Sequence, residues 1–123
     1  MKMSDQEAIQ QTIQTYFDCM YESAGAKAYE AFHPAAKITG YTKDGLQQMS
    51  VDDFARFVDS KSPSHKENGD PIVLETLSLD IAGDTAVARV RDDYIGLTFL
   101  DTLSFIKVDG KWLIYNKLFH VES

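Results

Sequence analysis

The chain has 123 residues, of which 44% are hydrophobic and 25% are charged; this balance is typical of one globular domain and excludes a disordered or fibrous protein. Nineteen acidic and twelve basic side chains give a net charge of −7. Nucleic acids and anionic membranes are bound by basic surfaces, and no cluster of Lys or Arg is present, so both partners are disfavoured. We expect one soluble domain spanning residues 1–123.

The number of cysteines and the hydropathy of the chain indicate the cellular compartment of the protein. Cys19 is the single cysteine, so an internal disulfide and a zinc knuckle are both excluded. No apolar run is long enough to cross a membrane, and the first residues lack the apolar segment of a secretory signal. We therefore expect a cytoplasmic protein.

Three helices are predicted in the first half of the chain. Ser4-Asp5-Gln6-Glu7 is a capping box, and the apolar stripe after it predicts a helix to about Glu22. A short second helix is expected over residues 26–32, and a third begins after the capping sequence Ser50-Val51-Asp52-Asp53. The stripe of the first helix consists of Ile9, Ile13, Tyr16, Phe17 and Met20.

The remaining segments are predicted to be strands, with one polar loop at residues 62–71. Asp109-Gly110 is the strongest hairpin signal in the chain. Helices early and a meander late predict an α+β fold, in which the helices pack on a curved, mostly antiparallel sheet around an apolar pocket. The predicted strands cover residues 36–41, 46–49, 72–82, 85–95, 97–108 and 111–120.

The last two strands carry apolar side chains on both faces. Simple alternation assigns Trp112, Ile114 and Leu118 to one face of the final strand, and Leu113, Tyr115 and Phe119 to the other. An antiparallel sheet with one solvated face should instead alternate cleanly between apolar and polar residues. Since the helices can cover only one face, we predict a homodimer that forms through the sheet.

Five segments spread over nearly the whole chain carry a resemblance to a known fold: residues 16–18, 31–36, 77–86, 101–112 and 116–120. They resemble the nuclear transport factor 2-like superfamily, also called SnoaL-like or cystatin-like. More narrowly, they are similar to small bacterial domains labelled as lumazine-binding. The resemblance implies a cone-shaped shell, usually dimeric, with a pocket between the helices and the concave face of the sheet. Members include isomerases, dehydratases, cyclases and non-catalytic binding modules, so the fold does not specify the chemistry.

One catalytic branch of this superfamily can be compared residue by residue. Ketosteroid isomerases hold an enolate with a tyrosine on the first helix and a protonated aspartic acid, and a second aspartate moves the proton. By position, Tyr16 matches the tyrosine, whereas Gly40 falls where the base is expected and Ser104 where the buried acid is expected. Steroid-isomerase chemistry is therefore not expected.

Three polar side chains are the candidates for chemistry, and each has a structural alternative. Tyr16 either points its phenol into the pocket or is a core tyrosine with a satisfied hydroxyl. Asp101 either acts as a tuned general acid or base, or forms an ion pair with Arg89 or Arg91 of the adjacent strand or with a basic residue across a dimer interface. Lys117 either binds an anionic group or acts as a base, or else extends to the rim of the pocket.

The predicted function follows from these residues and from what is missing. His33, His65 and His120 lack metal-ligand spacing, and no cofactor motif is present. We expect a small-molecule-binding domain for an apolar or aromatic ligand. The alternatives are a cofactor-free isomerase or lyase acting on a cyclic or polyketide-like carbonyl compound, with Tyr16 and Asp101 as catalytic candidates, and a dimeric interaction module without a ligand. The predicted pocket residues are Tyr16, Phe17, Met20, Phe57, Tyr94, Asp101, Tyr115, Lys117 and Phe119.

Overall fold

The computed structural model describes residues 3–122 and confirms the α+β prediction. All of the helices lie within the first 68 residues, where two strands separate them, and four further strands follow to complete a six-stranded sheet. The helices are α1 (Asp5–Tyr21), α2 (Ala28–Ala31), α3 (Val51–Asp59) and α4 (His65–Asn68), with a single 3₁₀ turn at Gly25–Lys27. The strands are β1 (Phe32–Thr42), β2 (Gly45–Ser50), β3 (Leu74–Ala82), β4 (Thr85–Tyr94), β5 (Leu97–Val108) and β6 (Lys111–Val121).

Helix α1 begins as the capping box predicts. The Ser4 hydroxyl accepts a 3.1 Å hydrogen bond from the Glu7 amide, and the Glu7 carboxylate accepts one of 3.0 Å from the Ser4 amide. The apolar stripe faces the sheet and forms much of the core. Its buried members are Ile9, Ile13, Tyr16, Phe17, Cys19 and Met20.

The six strands are ordered β2-β1-β6-β5-β4-β3. Every neighbouring pair is antiparallel except β1 and β6, which run parallel. The inner face of the sheet packs on α1 and α3, and the outer face carries no helix among the described residues. No helix within residues 3–122 is both long and apolar enough to span a lipid bilayer.

Strict alternation along β4 places a carboxylate on the inner face of the sheet. Residues 86, 88, 90, 92 and 94 are all buried, so Asp92 points inward with its alanine, valine and tyrosine neighbours. On β5 the inward residues opposite them include Leu103, Asp101 and Phe99. Two aspartates on neighbouring strands therefore share the interior.

A β-bulge in β6 overturns the predicted division of that strand into two faces. Ser104 pairs with Asn116 and Phe105 pairs with Ile114, so Tyr115 is an extra residue without a partner on β5. The bulge shifts the alternation by one position. As a result Trp112, Ile114, Lys117 and Phe119 share the inner side, and Leu118 is on the outer side.

Three other predicted elements differ in their bounds or content. The short second helix predicted over residues 26–32 is a 3₁₀ turn followed by α2, and β1 already begins at Phe32 rather than at residue 36. The predicted polar loop contains α4, which opens with its own capping box between Ser64 and Glu67. This signal, Ser-x-x-Glu, is visible in the sequence.

Candidate functional site

Four polar side chains from four different elements meet inside the cone. Tyr16 comes from α1, Asp92 from β4, Asp101 from β5 and Lys117 from β6, and each is at most 5% exposed. We call this set the interior polar cluster. Lys, Asp and Glu are rarely so deeply buried unless they are paired, so the cluster is an unusual feature of a core of this size.

Tyr16 and Asp101 are joined directly. The Tyr16 hydroxyl donates a 2.7 Å hydrogen bond to Oδ2 of Asp101, and both side chains are fully buried. Burial, together with the negative charge of Asp101, raises the pKa of Tyr16 well above its ordinary value of 10.0. The phenol therefore stays protonated and serves as a donor.

Asp92 lies diagonally across from Asp101 on the inner face, because Asp101 is paired with Val90 two positions earlier. Burial and the neighbouring Asp101 carboxylate raise the pKa of Asp92 from 3.8 to about 9, while Lys117 opposes this rise. Neither oxygen of Asp92 has a donor among the described residues, nor does Oδ1 of Asp101. A proton on Asp92 allows it to donate a hydrogen bond to Asp101.

Lys117 supplies the positive charge of the cluster. Its ammonium lies over three aromatic rings, 4.8 Å from the centroid of Tyr16, 5.1 Å from Phe54 and 5.8 Å from Phe119. It makes neither an ion pair nor a hydrogen bond with another residue in the range 3–122.

Two half-buried phenylalanines separate the cluster from solvent. Phe119 and Phe99 pack edge to face at 5.9 Å. The Phe119 ring also lies against Gly40, where an added Cβ would come within 2.5 Å of the ring. Only glycine at position 40 leaves room for this close approach, so Phe119 is held across the cluster.

Helix α4 is fastened near the same end of the cone through His65. The His65 ring lies 5.4 Å from that of Tyr94, its Nε2 accepts a 3.1 Å hydrogen bond from the Ile95 amide, and its Nδ1 is 2.7 Å from the Asp70 carboxylate. The acceptor role of Nε2 places the ring proton on Nδ1. His65 lies within the segment predicted to be a polar loop, yet it is partly buried and joins that segment to the β4–β5 hairpin.

The structure brings together several of the predicted pocket residues. Tyr16, Asp101 and Lys117 meet in the cluster, and Phe119 contacts Lys117. Phe57 and Tyr94 pack together at 6.4 Å beside His65, and the Tyr94 hydroxyl is buried without a partner among the described residues. Phe17 and Met20 are buried in the core, where Phe17 stacks on Tyr21.

Tyr115 does not belong to this group. It is the extra residue of the β6 bulge, it is 44% exposed, and its ring packs against His33 at 5.2 Å. The prediction that Tyr115 shares a face with Lys117 is wrong because the bulge interrupts the alternation.

The structural alternative for Asp101 is also wrong within this chain. Arg89 and Arg91 alternate with the inward residues of β4 and therefore point to the outer face. Arg89 donates to Thr102, and Arg91 forms an ion pair of 2.8 Å with Glu122. Asp101 is partnered by a phenol instead.

In the comparison with ketosteroid isomerases, the structure changes which residue occupies the position of the buried acid. Ser104 is paired with Asn116 and alternates with inward residues, so it is on the outer side of the sheet. The acid that meets the Tyr16 phenol is Asp101. Gly40 remains a position without a base, since it packs against Phe119.

Sequence reasoning missed Asp92. The signal that could have found it is the period-two pattern of β4, in which Asp92 occupies an inward position between Val90 and Tyr94.

Cys19 is buried in the same core, and burial raises the pKa of its thiol from 9.0 to about 12, so it stays protonated. Within residues 3–122, no group of three or more His, Cys, Asp or Glu side chains is arranged to hold a metal ion.

Two surface hollows lie outside the cone. One follows the exposed side of α1 and is lined by residues such as Gln6, Gln10 and Gln14. The other lies between α1 and the β5–β6 hairpin, beside Thr12 and Trp112. Neither contacts the interior polar cluster, which the protein encloses in this conformation.

Comparisons with known proteins identify the fold and a set of relatives. A family model described as "Putative lumazine-binding" matches residues 4–120. A curated protein from Cladobotryum sp, described as "Aldolase FrzH", is 28% identical over 119 residues, covering 95% of this chain and 91% of that protein.

Solved structures extend the comparison. An NTF2-like protein of unknown function from Methylobacillus flagellatus KT is 28% identical with a TM-score of 0.81, covering 100% of this chain and 96% of that one. An NTF-2 like protein of unknown function from Silicibacter pomeroyi DSS-3 has a TM-score of 0.85 at 22% identity, covering 98% of this chain and 100% of that one. The predicted nuclear transport factor 2-like fold is confirmed.

Proposed function

Because this chain belongs to the "Putative lumazine-binding" family, we propose that it binds a small, mostly apolar or aromatic molecule inside the cone, at the interior polar cluster. The observation that carries this proposal is the unsatisfied hydrogen-bonding capacity of the cluster. Even with a hydrogen bond from protonated Asp92 to Asp101, one oxygen of Asp92 is buried without a partner among the described residues, and so is the hydroxyl of Tyr94, two residues further along β4. A core built only for stability would not retain such groups, since each costs about 1–3 kcal/mol.

The cluster offers a specific set of contacts to a ligand. The carboxyl pair can accept hydrogen bonds, the Lys117 ammonium can donate them, and the rings of Phe54 and Phe119 provide apolar surface. A complementary molecule has a flat apolar body, at least one donor for a carboxylate and one carbonyl or anionic oxygen for Lys117. Binding then satisfies groups that are unpaired in the free protein.

Entry requires part of the enclosure to move. Phe119 and Phe99 are half-buried and stand between Lys117 and solvent, and α4 is attached at the same end through a few polar contacts. Side-chain rotation of Phe119 is the smallest movement that exposes Lys117 to a ligand.

A second candidate function is cofactor-free catalysis on a carbonyl compound, as a lyase or isomerase. The observation that favours it is the pairing of a protonated acid, Asp92, with a carboxylate, Asp101. Such a pair can protonate a carbonyl oxygen with one member and remove a neighbouring proton with the other. The resemblance to a curated protein described as an aldolase is consistent with this candidate.

A metabolite library tests ligand binding. We expect some aromatic or cyclic carbonyl compounds to raise the melting temperature of the wild-type protein. The same compounds should fail to stabilise Lys117→Met, whereas Lys107→Met, a lysine paired with Asp5 away from the cluster, should respond like wild type. If no compound stabilises the protein, or if Lys117→Met responds fully, the proposal is wrong and an interaction module without a ligand becomes the better account.

We also propose that the chain forms a homodimer through the outer face of its sheet. Side chains on strands β4–β6 leave that face partly apolar: Val87 is 43% exposed, Leu118 49% and Tyr115 44%. Light scattering at micromolar concentration tests this, and a strict monomer would contradict it.

The buried, unpaired Cys19 is compatible with the cytoplasmic location that we expect.

A further inference from the structure

Lys117 differs from the other lysines that the structure describes. Lys27 and Lys107 form ion pairs with Glu22 and Asp5 at 2.7 and 3.1 Å, whereas Lys117 is only 5% exposed and its amine has no polar partner among residues 3–122. The amine lies over three aromatic rings, those of Tyr16, Phe54 and Phe119. A desolvated amine in aromatic surroundings is the environment in which lysine acts as a nucleophile toward carbonyl groups.

We propose that Lys117 condenses with an aldehyde or ketone group of the bound molecule to form an iminium. The inference rests on the proposed function, because it assigns the chemical class of the ligand and the residue that captures it. It specifies a covalent step, which neither simple binding nor proton transfer by the carboxyl pair requires.

The step balances without any other reactant. The Lys117 ammonium passes one proton to the Asp101 carboxylate, and the nitrogen lone pair attacks the carbonyl carbon. The carbonyl oxygen takes a proton from Asp92, and the nitrogen, which now carries two protons and a positive charge, returns one of them to Asp92, giving a neutral carbinolamine. The C–O bond then breaks, the oxygen leaves as water with the proton held by Asp101, and the nitrogen shares its electron pair to form C=N. In total, an ammonium and a carbonyl compound give an iminium and one water, with no oxidation or reduction.

The surroundings fit the product as well as the reactant. The iminium keeps the positive charge at the nitrogen, and this is where three aromatic rings stabilise a cation. The carboxyl pair contains one acid and one base, which the formation and loss of the carbinolamine both require. The water that forms departs from a site lined largely by apolar side chains. Its departure disfavours hydrolysis of the iminium, which is the reverse reaction.

The iminium also defines a class of substrate. Electron withdrawal by C=N⁺ acidifies the adjacent C–H bonds, and a carboxylate near that carbon can remove the proton to give an enamine. The carbonyl compound should therefore carry an acidic α position, as a 1,3-dicarbonyl compound does. The apolar rings around Lys117 favour an aromatic or cyclic substituent on it.

The probe for this inference is 1-phenylbutane-1,3-dione. Its iminium loses an α proton to the carboxyl pair and becomes a neutral enaminone, which absorbs in the near ultraviolet and is identified by a mass gain of one probe molecule minus one water. We expect one adduct per chain, mapped to Lys117 by peptide mass spectrometry. The adduct should be absent in Lys117→Met and in Lys117→Arg, and retained in Lys107→Met.

Lys117→Arg keeps the charge and the stacking but cannot form an iminium, so it separates chemistry from folding; circular dichroism verifies that each variant is folded. An absent adduct in folded wild type, or equal labelling of Lys117→Arg, would overturn the inference. Ligand-observed NMR on the same mixture measures reversible binding. Binding of the dione without an adduct overturns the iminium and leaves the proposed ligand site intact, whereas an adduct on Lys117 supports both.

Discussion

The hydroxyl of Tyr16, in the fourth turn of α1, donates a 2.7 Å hydrogen bond to Asp101 in the middle of β5. This contact links the first helix to the centre of the sheet through two fully buried polar side chains. It also leaves the second oxygen of Asp101 free to accept a hydrogen bond from protonated Asp92. The polar interior of the cone is therefore organised around Asp101.

Removing the phenol should destabilise the protein. Tyr16→Phe leaves Oδ2 of Asp101 buried without its donor, and we expect a loss of about 1–3 kcal/mol in the free energy of unfolding. The matched control is Tyr29→Phe, which removes a 2.6 Å hydrogen bond to Asp52 at an exposed site. That change should cost less than about 1 kcal/mol. Urea denaturation measures the free energy of unfolding of both variants. Equal losses would show that the buried hydrogen bond contributes no more to stability than the exposed one.

The pH dependence of stability should change in Asp92→Asn. The pKa of Asp92 lies near 9 in the folded state and near 3.8 when unfolded, so its contribution is fully present below about pH 4 and is lost as the pH rises toward 9. Asparagine can donate to Asp101 without a bound proton. We expect Asp92→Asn to be more stable than wild type by about 4 kcal/mol at pH 7, and the two to converge near pH 4.

The control for this prediction is Asp93→Asn, an exposed carboxylate that accepts from Thr98 on the opposite side of the strand. Its unfolding free energy should follow the wild-type pH profile. Parallel profiles for Asp92→Asn and wild type between pH 4 and pH 9 would contradict the proton on Asp92.

Gly40 and Phe119 should be energetically coupled. A Cβ at position 40 would lie within 2.5 Å of both the Phe119 ring and its carbonyl oxygen, so Gly40→Ala should cost about 1–3 kcal/mol. In a Phe119→Ala background the ring contact is gone and the backbone contact remains. The cost of Gly40→Ala should then fall without vanishing, and a double-mutant cycle by urea denaturation measures the difference. Additive costs would mean that Phe119 does not rest on Gly40.

The attachment of α4 can be tested through the Ile95 amide. His65→Phe keeps a ring against Tyr94 but removes the acceptor of the Ile95 N–H, so hydrogen exchange at this amide should become faster. His33→Phe provides the control, because its ring accepts from the Ala35 amide at a different site. Unchanged exchange at Ile95 in His65→Phe would show that the histidine does not hold the hairpin.

Much of the fold could be predicted from local signals. The capping box at Ser4, the N-cap at Ser50, the Asp109-Gly110 turn and the periodic stripe of α1 each specify an element through nearby residues. Tyr16, Asp101 and Lys117 could be singled out because each is a polar residue at an inward position of an apolar pattern. Their meeting depends on the curvature of the sheet, which the sequence implies only through the resemblance.

What could not be predicted depends on contacts between strands. The bulge at Tyr115 is a matter of register between β5 and β6, and no residue type within β6 marks it. The role of Asp92 depends on its diagonal position relative to Asp101, which requires the strand pairing. Side-chain alternation along β4 places Arg89 and Arg91 on the outer face of the sheet, so neither arginine can reach Asp101 on the inner face.

The proposed site depends most directly on the proton that Asp92 holds inside the cone. Carboxyl ¹³C NMR of protein labelled at aspartate, titrated from pH 4 to pH 10 and assigned with Asp92→Asn, measures it. We expect the resonance that is missing in Asp92→Asn to remain in the protonated position through neutral pH and to titrate near pH 9. A midpoint near the ordinary value of 3.8 would contradict the shared proton, and with it the acid–base pair at the centre of the proposed site.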